Sequence, residues 1–280
     1  MSGNEKTILW RRLVSVAALD PWMERLIWVG PERIVTRELP GKKRASLEVY
    51  CRDLKDANKL VKHYGGEIRM LARSVWLDTQ QRSFVLPVSP HCCVVSPDAK
   101  IPERYQQLPQ IELPAAMAFG TGEHPTTAMC LRQLLKCVGA KGKKPLRILD
   151  AGTGSGILAL AASLVGHQVT GIDFDPESIR EAEKNQLRNP HVPSVTWKLG
   201  KVESIPLRTR FDVIVANLFL NILGDSVPRF YKMLPPGGPL ILSGVMRDQE
   251  KQALQILQHS GFVLDQRLRK GKWICLVAHK

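Results

Sequence analysis

An α/β fold in two parts is what this sequence predicts. A small ferredoxin-like α+β domain covers residues 1–77, an extended linker covers 78–117, and a Rossmann-like, mostly parallel seven-stranded sheet covers 118–280. Three observations carry the prediction. Beyond about residue 118, continuous apolar runs alternate strictly with amphipathic helical stretches, as a parallel sheet covered on both faces requires. The chain ends in two strand-like runs around Lys270-Gly271-Lys272, a hairpin that inserts the last strand antiparallel. The first 75 residues follow a different order: strand, helix, strand, strand, helix, strand.

Each element has its own local cause. ILWRRLVSV reads as the first strand, after which Asp20 is expected to cap a helix with Pro21 at its first position and Gly30 at its end. ERIVTREL and RASLEVYC alternate as strands across the turn Pro40-Gly41-Lys42-Lys43. Asp53 caps DLKDANKLVKHY, Gly65-Gly66 stops it, and EIRMLARSV is the next strand. The linker is punctuated by Pro87, Pro90, Pro97, Pro102, Pro109 and Pro114, yet Phe84 to Val95 is apolar enough to pair. In the second half the strands are PLRILDAG, HQVTGIDFD, SVTWKLG, FDVIVANL and PLILSGV, with helices at 125–138, 155–165, 176–188, 221–234 and 248–260.

The totals bound the class. Apolar and charged fractions of 44% and 24% over 280 residues are those of a soluble protein with room for a sizeable core. No run of 18 uncharged apolar residues is present, so no membrane span is expected, and MSGNEKTILWRRL lacks an apolar signal core, which points to the cytoplasm. Six cysteines show neither a CxxC pair nor zinc spacing; they are expected as free thiols, and no metal site is expected. The net charge of +14 reads either as a solvated basic surface or as affinity for RNA or an RNA-bound protein.

Chemistry concentrates in two glycine stretches. LDAGTGSG puts Gly152, Gly154 and Gly156 at the carboxyl end of the first large-sheet strand, where open α/β sheets bind ligands. Ile157 stands where a dinucleotide fingerprint wants glycine or alanine. Asp150 immediately before the loop would repel a pyrophosphate but suits a cation, such as the α-amino group and sulfonium of S-adenosyl-L-methionine. Asp173, about 20 residues past the loop, can accept from both ribose hydroxyls, while Asp175-Pro176 reads as a helix cap. Asn217 ends FDVIVANL with an amide suited to holding an amine or the cofactor; the competing reading is a cap for the helix at 221. The other stretch, AFGTGEHPTT, is read as a hinge and lid: Gly120 and Gly122 lend flexibility, Pro125 and Thr126 open a helix, and Thr127 reaches back to the cofactor. His124, beside Glu123, is the only histidine near a motif and hence a candidate for moving a proton.

AFGTGEHPTTAMCL, ILDAGTGSGILALAA, GIDFDPESIREAEKN, FDVIVANL and GGPLILSGV, in this order, resemble the bacterial ribosomal protein L11 methyltransferase family over residues 118–280. Five parallel strands closed by a hairpin also resemble Rossmann-like methyltransferases generally. The resemblance implies S-adenosylmethionine contacts at Thr127, Gly152, Asp173 and Asn217, and methylation of lysine side chains and the N-terminal amine of the ribosomal protein. It implies that the small first domain captures that protein. Glu123 departs from the family, which commonly has threonine or another small or polar residue there. Leu218-Phe219-Leu220 lacks the prolines and aromatic with which amino-methylating enzymes of DNA bases follow this asparagine. The alternatives left open are an RNA methyltransferase and a lysine methyltransferase of another protein, such as the electron-transfer flavoprotein.

Overall fold

Alternation along the central strands explains the architecture. In the segment Val213 to Ala216, Val213 and Val215 enter one apolar core while Ile214 and Ala216 enter another, so this strand is buried on both faces. The computed structural model describes residues 7–29, 33–38, 44–71, 84–88, 90–114, 124–139 and 144–280. The chain divides into two compact units, Met1–Arg82 and Ser83–Lys280.

In the first unit, β1 (Thr7–Ser15), α1 (Leu19–Arg25), β2 (Ile34–Glu38), β3 (Arg44–Cys51), α2 (Leu54–Tyr64) and β4 (Glu67–Leu71) follow the expected order. The sheet runs β2-β3-β1-β4, with every neighbouring pair antiparallel. Its core gathers Trp10 and Val14 of β1, Leu47 and Val49 of β3, and Leu60 of α2. Asp53 caps α2 as expected, accepting from the Asp56 amide at 2.7 Å. Helix α1 begins at Leu19, before Asp20. A 3-10 turn over Val16–Ala18 leads directly into the helix, so Asp20 already lies inside it. The turn at residues 40–43 and Gly30 lie outside the described residues.

The second unit opens with β5 (Val85–Val88), β6 (Cys92–Val95) and β7 (Gln110–Glu112), a three-stranded sheet. Its apolar residues Cys92, Val94, Ile111 and Leu113 belong to the larger core. Asn189, fully buried, clamps β7: it accepts from the Glu112 amide at 2.7 Å and donates to the Glu112 carbonyl at 2.8 Å.

The remaining elements are α3 (Pro125–Val138), β8 (Arg147–Ala151), α4 (Ile157–Leu164), β9 (Gln168–Asp173), α5 (Pro176–Arg188) and β10 (Thr196–Leu199). They continue with β11 (Val213–Asn217), α6 (Leu220–Met233), β12 (Pro239–Met246), α7 (Glu250–His259), β13 (Val263–Lys270) and β14 (Trp273–His279). The strand order is β10-β9-β8-β11-β12-β14-β13, with β14 antiparallel to β12 and β13 and the other pairs parallel. The α/β fold with a seven-stranded, mostly parallel sheet stands as predicted. Because β8 has β9 on one side and β11 on the other, chain order reverses there. That switch point places a crevice outside the carboxyl ends of the strands.

Candidate functional site

The glycine loop after β8 holds its shape through backbone freedom and backbone bonds. Gly152, Gly154 and Gly156 all have positive φ, at 74°, 52° and 80°. The Gly152 and Thr153 amides both donate to the Ile172 carbonyl of β9, at 2.9 and 3.0 Å. A Cβ on Gly152 would lie 2.3 Å from the Leu218 side chain. One on Gly156 would lie 2.8 Å from the Trp197 ring and 3.1 Å from the Ala182 Cβ, so space as well as φ requires glycine at 156, while at 152 φ is the main demand. Helix α4 begins at Ile157 rather than 155, because Gly156 is its left-handed N-cap.

Two carboxylates frame the loop. Asp173 is buried, accepting from the Gly154 amide on one oxygen and the Asp175 amide on the other, each at 3.0 Å. Desolvation raises its pKa, and those same amides hold the rise back. Each oxygen keeps a second lone pair for a ligand hydroxyl. Asp175 caps α5, accepting from the Glu177 amide at 2.9 Å, which separates its role from that of Asp173.

Asp150, on β8, is entirely buried. One of its oxygens accepts from the Thr153 hydroxyl at 2.7 Å, and the other has no hydrogen-bond partner. Burial pushes its pKa up to about 7, against the opposing pull of Thr153 and the Ala159 amide. An unpartnered buried carboxylate oxygen suits a cationic or hydrogen-bond-donating neighbour.

Asn217 closes β11 and does not cap α6, whose N-cap is Phe219. Its Nδ2 donates to the Thr127 hydroxyl at 3.3 Å. This bond joins the end of β11 to the first turn of α3, with the Asn217 carbonyl left as an acceptor. Pro125 is the first residue of α3 and His124 its N-cap. The His124 Nδ1 lies 2.7 Å from the Thr126 hydroxyl, and its ring meets Trp273 edge-on at 4.9 Å. Burial, then the nearby Lys272 charge, lowers its pKa and favours the neutral imidazole. Gly120, Gly122 and Glu123, with the hinge-and-lid reading built on them, lie outside the described residues.

A cavity of about 600 Å³ opens at this end of the sheet, lined by Gly152, Asp173, Lys201, Leu218, Asp225 and Ser226 among others. Ser226 is fully buried and its hydroxyl has no partner. Two contributors escaped sequence reasoning. Gly244 of β12 has φ of +86°, and a Cβ there would sit 2.4 Å from the Leu218 carbonyl oxygen; its signal was an isolated glycine inside a strand. Ser226 carried no sequence signal, since its significance is burial without a partner.

The family model described as "Ribosomal protein L11 methyltransferase (PrmA)" matches residues 37–280. A curated relative of that name from Geobacter sulfurreducens is 41% identical over 169 residues, covering 60% of this chain and 53% of the relative. Another, from Geotalea uraniireducens, is 34% identical over 175 residues, covering 59% and 55%. The match to the Thermus thermophilus protein of that name reaches 72% of this chain and 76% of the relative, at 32% identity. A solved structure of a ribosomal protein L11 methylase from Lactobacillus delbrueckii subsp. bulgaricus superposes with a TM-score of 0.62 at 30% identity, covering 70% of this chain and 98% of the other. The chain thus spans little more than half the length of the first two relatives.

Proposed function

The chain belongs to the ribosomal protein L11 methyltransferase family, and from that premise we propose that it methylates amine nitrogens of a protein, ribosomal protein L11 being the substrate, with S-adenosylmethionine as methyl donor. The observation that carries the reading is Asp150: a wholly buried carboxylate with one unpartnered oxygen, directly before a glycine loop. That arrangement disfavours a pyrophosphate and suits a cationic ligand. The residues present fit S-adenosylmethionine. Asp150 supplies charge for its amino and sulfonium end, and the loop glycines let backbone approach closely. Asp173 supplies acceptors for the ribose hydroxyls. When bound, this cofactor provides a methyl group on a sulfonium, an intrinsically good leaving group.

The protein's work is then alignment and protonation state. A lysine amine has a reference pKa of about 10.4 and arrives protonated at neutral pH. Removing it from water favours the neutral form. The Asn217 carbonyl accepts an amine hydrogen and so aims the nitrogen lone pair, while the bond to Thr127 ties the Asn217 side chain to α3. His124, neutral and occupied by Thr126, orients the start of α3 rather than carrying a proton. The first unit captures the protein substrate. This reading entails a cytoplasmic enzyme; among the described residues no helix is long and apolar enough to cross a membrane.

Incubation with methyl-tritiated S-adenosylmethionine, purified L11 and total cell extract tests the proposal. Label should enter L11, disappear with protease and survive ribonuclease. The substitution Asn217→Ala should lower kcat/KM by on the order of 100-fold. Label lost to ribonuclease, or near-normal rates for Asn217→Ala, would overturn the assignment.

A further inference from the structure

A second cavity, of about 710 Å³, lies at the opposite end of the same strands, where Arg147 begins β8, Gln168 begins β9 and Thr196 begins β10. The five residues of β8 separate it from the glycine loop by roughly 15 Å. It is therefore distinct from the site above. None of its lining residues is acidic, whereas Arg147, Lys198, Arg208 and Arg210 are cationic. Arg147 is partly neutralised by Asp212, at 3.5 Å. Among the described residues Arg210 donates to the carbonyls of Leu207 and Thr209 alone, which holds its guanidinium without cancelling its charge. Lys198 and Arg208 are exposed and make no ion pair among the described residues.

We propose that this cavity is a nucleic-acid contact that takes the phosphate backbone of an RNA. Three uncompensated cations ring a space wide enough for a phosphodiester, and the hydroxyls of Ser194, Thr196 and Thr209 on the same wall add neutral donors. Guanidinium groups match the oxygens of a phosphate in geometry as well as in charge. His167, also on the wall, takes no part. Its Nε2 lies 2.9 Å from the Val138 carbonyl and its Nδ1 3.2 Å from the Leu146 amide, so both ring nitrogens are engaged within the fold. The chain-wide charge of +14 supplies the long-range attraction that a polyanion needs, and a single carboxylate partner would leave most of these cations unpaired.

The test is binding of the full chain to a fluorescent 20-base-pair RNA duplex, measured without cofactor across a salt series. Neutralised phosphates contribute about 0.9 each to the slope of log affinity against log salt. The triple variant Lys198→Gln, Arg208→Gln, Arg210→Gln should flatten that slope by about 2 to 3. It should also weaken binding at least ~10-fold near 0.1 M salt, while methylation of isolated L11 protein stays within about twofold. A control of equal charge loss outside the cavity, Lys184→Gln, Lys232→Gln, Lys251→Gln, should change the slope by much less. Equal losses in the two variants would overturn the site and leave only general basicity. Displacement of the RNA by polyglutamate at equal charge concentration would overturn it in favour of an acidic protein partner. Because binding is read without the methyl donor, failure here and failure of the methyl-transfer reading are separate results.

Discussion

At the scale of one residue, Asp150 is where binding and stability pull in opposite directions. Its folded pKa of about 7 lies above the ordinary 3.8, so between those values the folded chain keeps a proton that the unfolded chain has released. The stability this contributes is complete below about pH 4 and is lost as pH rises through about 7, on the order of 4 kcal/mol in all. Asp150→Asn should therefore flatten the fall in Tm between pH 5 and pH 8, measured by thermal melts without cofactor. A cationic ligand beside the carboxylate favours its ionised form. Binding of S-adenosylmethionine at pH 7 should thus release protons from the wild type and not from the variant, as read by calorimetry in two buffers of different ionisation enthalpy. Equal proton release by both proteins would sink the assignment of Asp150 to the cation. The strand-end positions of Asp150 and Asp173 were legible in the sequence, Asp150 because it directly precedes the glycine loop and Asp173 because it closes the next apolar run about 20 residues on. The orientation of Asn217 was not, because it depends on Thr127, 90 positions away in the chain.

At the scale of elements, β12 and α6 make opposite demands on glycine. At Gly244 the left-handed backbone coincides with a register shift in the pairing of β12 with β14, and the Leu218 backbone presses where a Cβ would stand. Gly244→Ala should cost about 2–3 kcal/mol and weaken cofactor binding, since the Leu218 backbone it would displace directly follows Asn217 at the end of β11. Gly224 lies in the interior of α6, where an added Cβ would meet no other atom within 4 Å, so Gly224→Ala should stabilise by about 0.5–1 kcal/mol. Paired thermal melts check both, and a destabilised Gly224→Ala would refute the packing argument. Element order was readable from hydrophobic period alone, and α3 and α5 began where Pro125 and Asp175-Pro176 said they would. The start of α1 was misread because an upstream 3-10 turn overrode the Asp20-Pro21 signal. Phe84 to Val95 pairs as expected, in β5 and β6, but proline punctuation concealed β7, whose clamp, Asn189, lies 77 residues beyond Glu112.

At the scale of the whole molecule, the proposed function separates chemistry and recognition along the chain. The larger unit, Ser83–Lys280, holds the glycine loop, both buried carboxylates, Asn217, and the two cores on either face of the seven-stranded sheet. The smaller unit has its own core around Trp10 and Leu60 but, at 82 residues, sits near the size where a single core is marginal. If the first unit only captures the protein substrate, its removal should spare the chemistry's binding pocket. A chain of residues 83–280 should fold, show a cooperative melt, and bind S-adenosylmethionine within about threefold of full length, a difference of ~0.7 kcal/mol. Its kcat/KM on L11 should fall by at least ~100-fold, because binding energy far from the reacting amine no longer holds that amine in line. Calorimetry and methyl-transfer rates on the two chains decide the matter. Undiminished methylation of L11 by the shorter chain would move substrate recognition into the larger unit, whereas loss of cofactor binding would tie the first unit to the pocket itself.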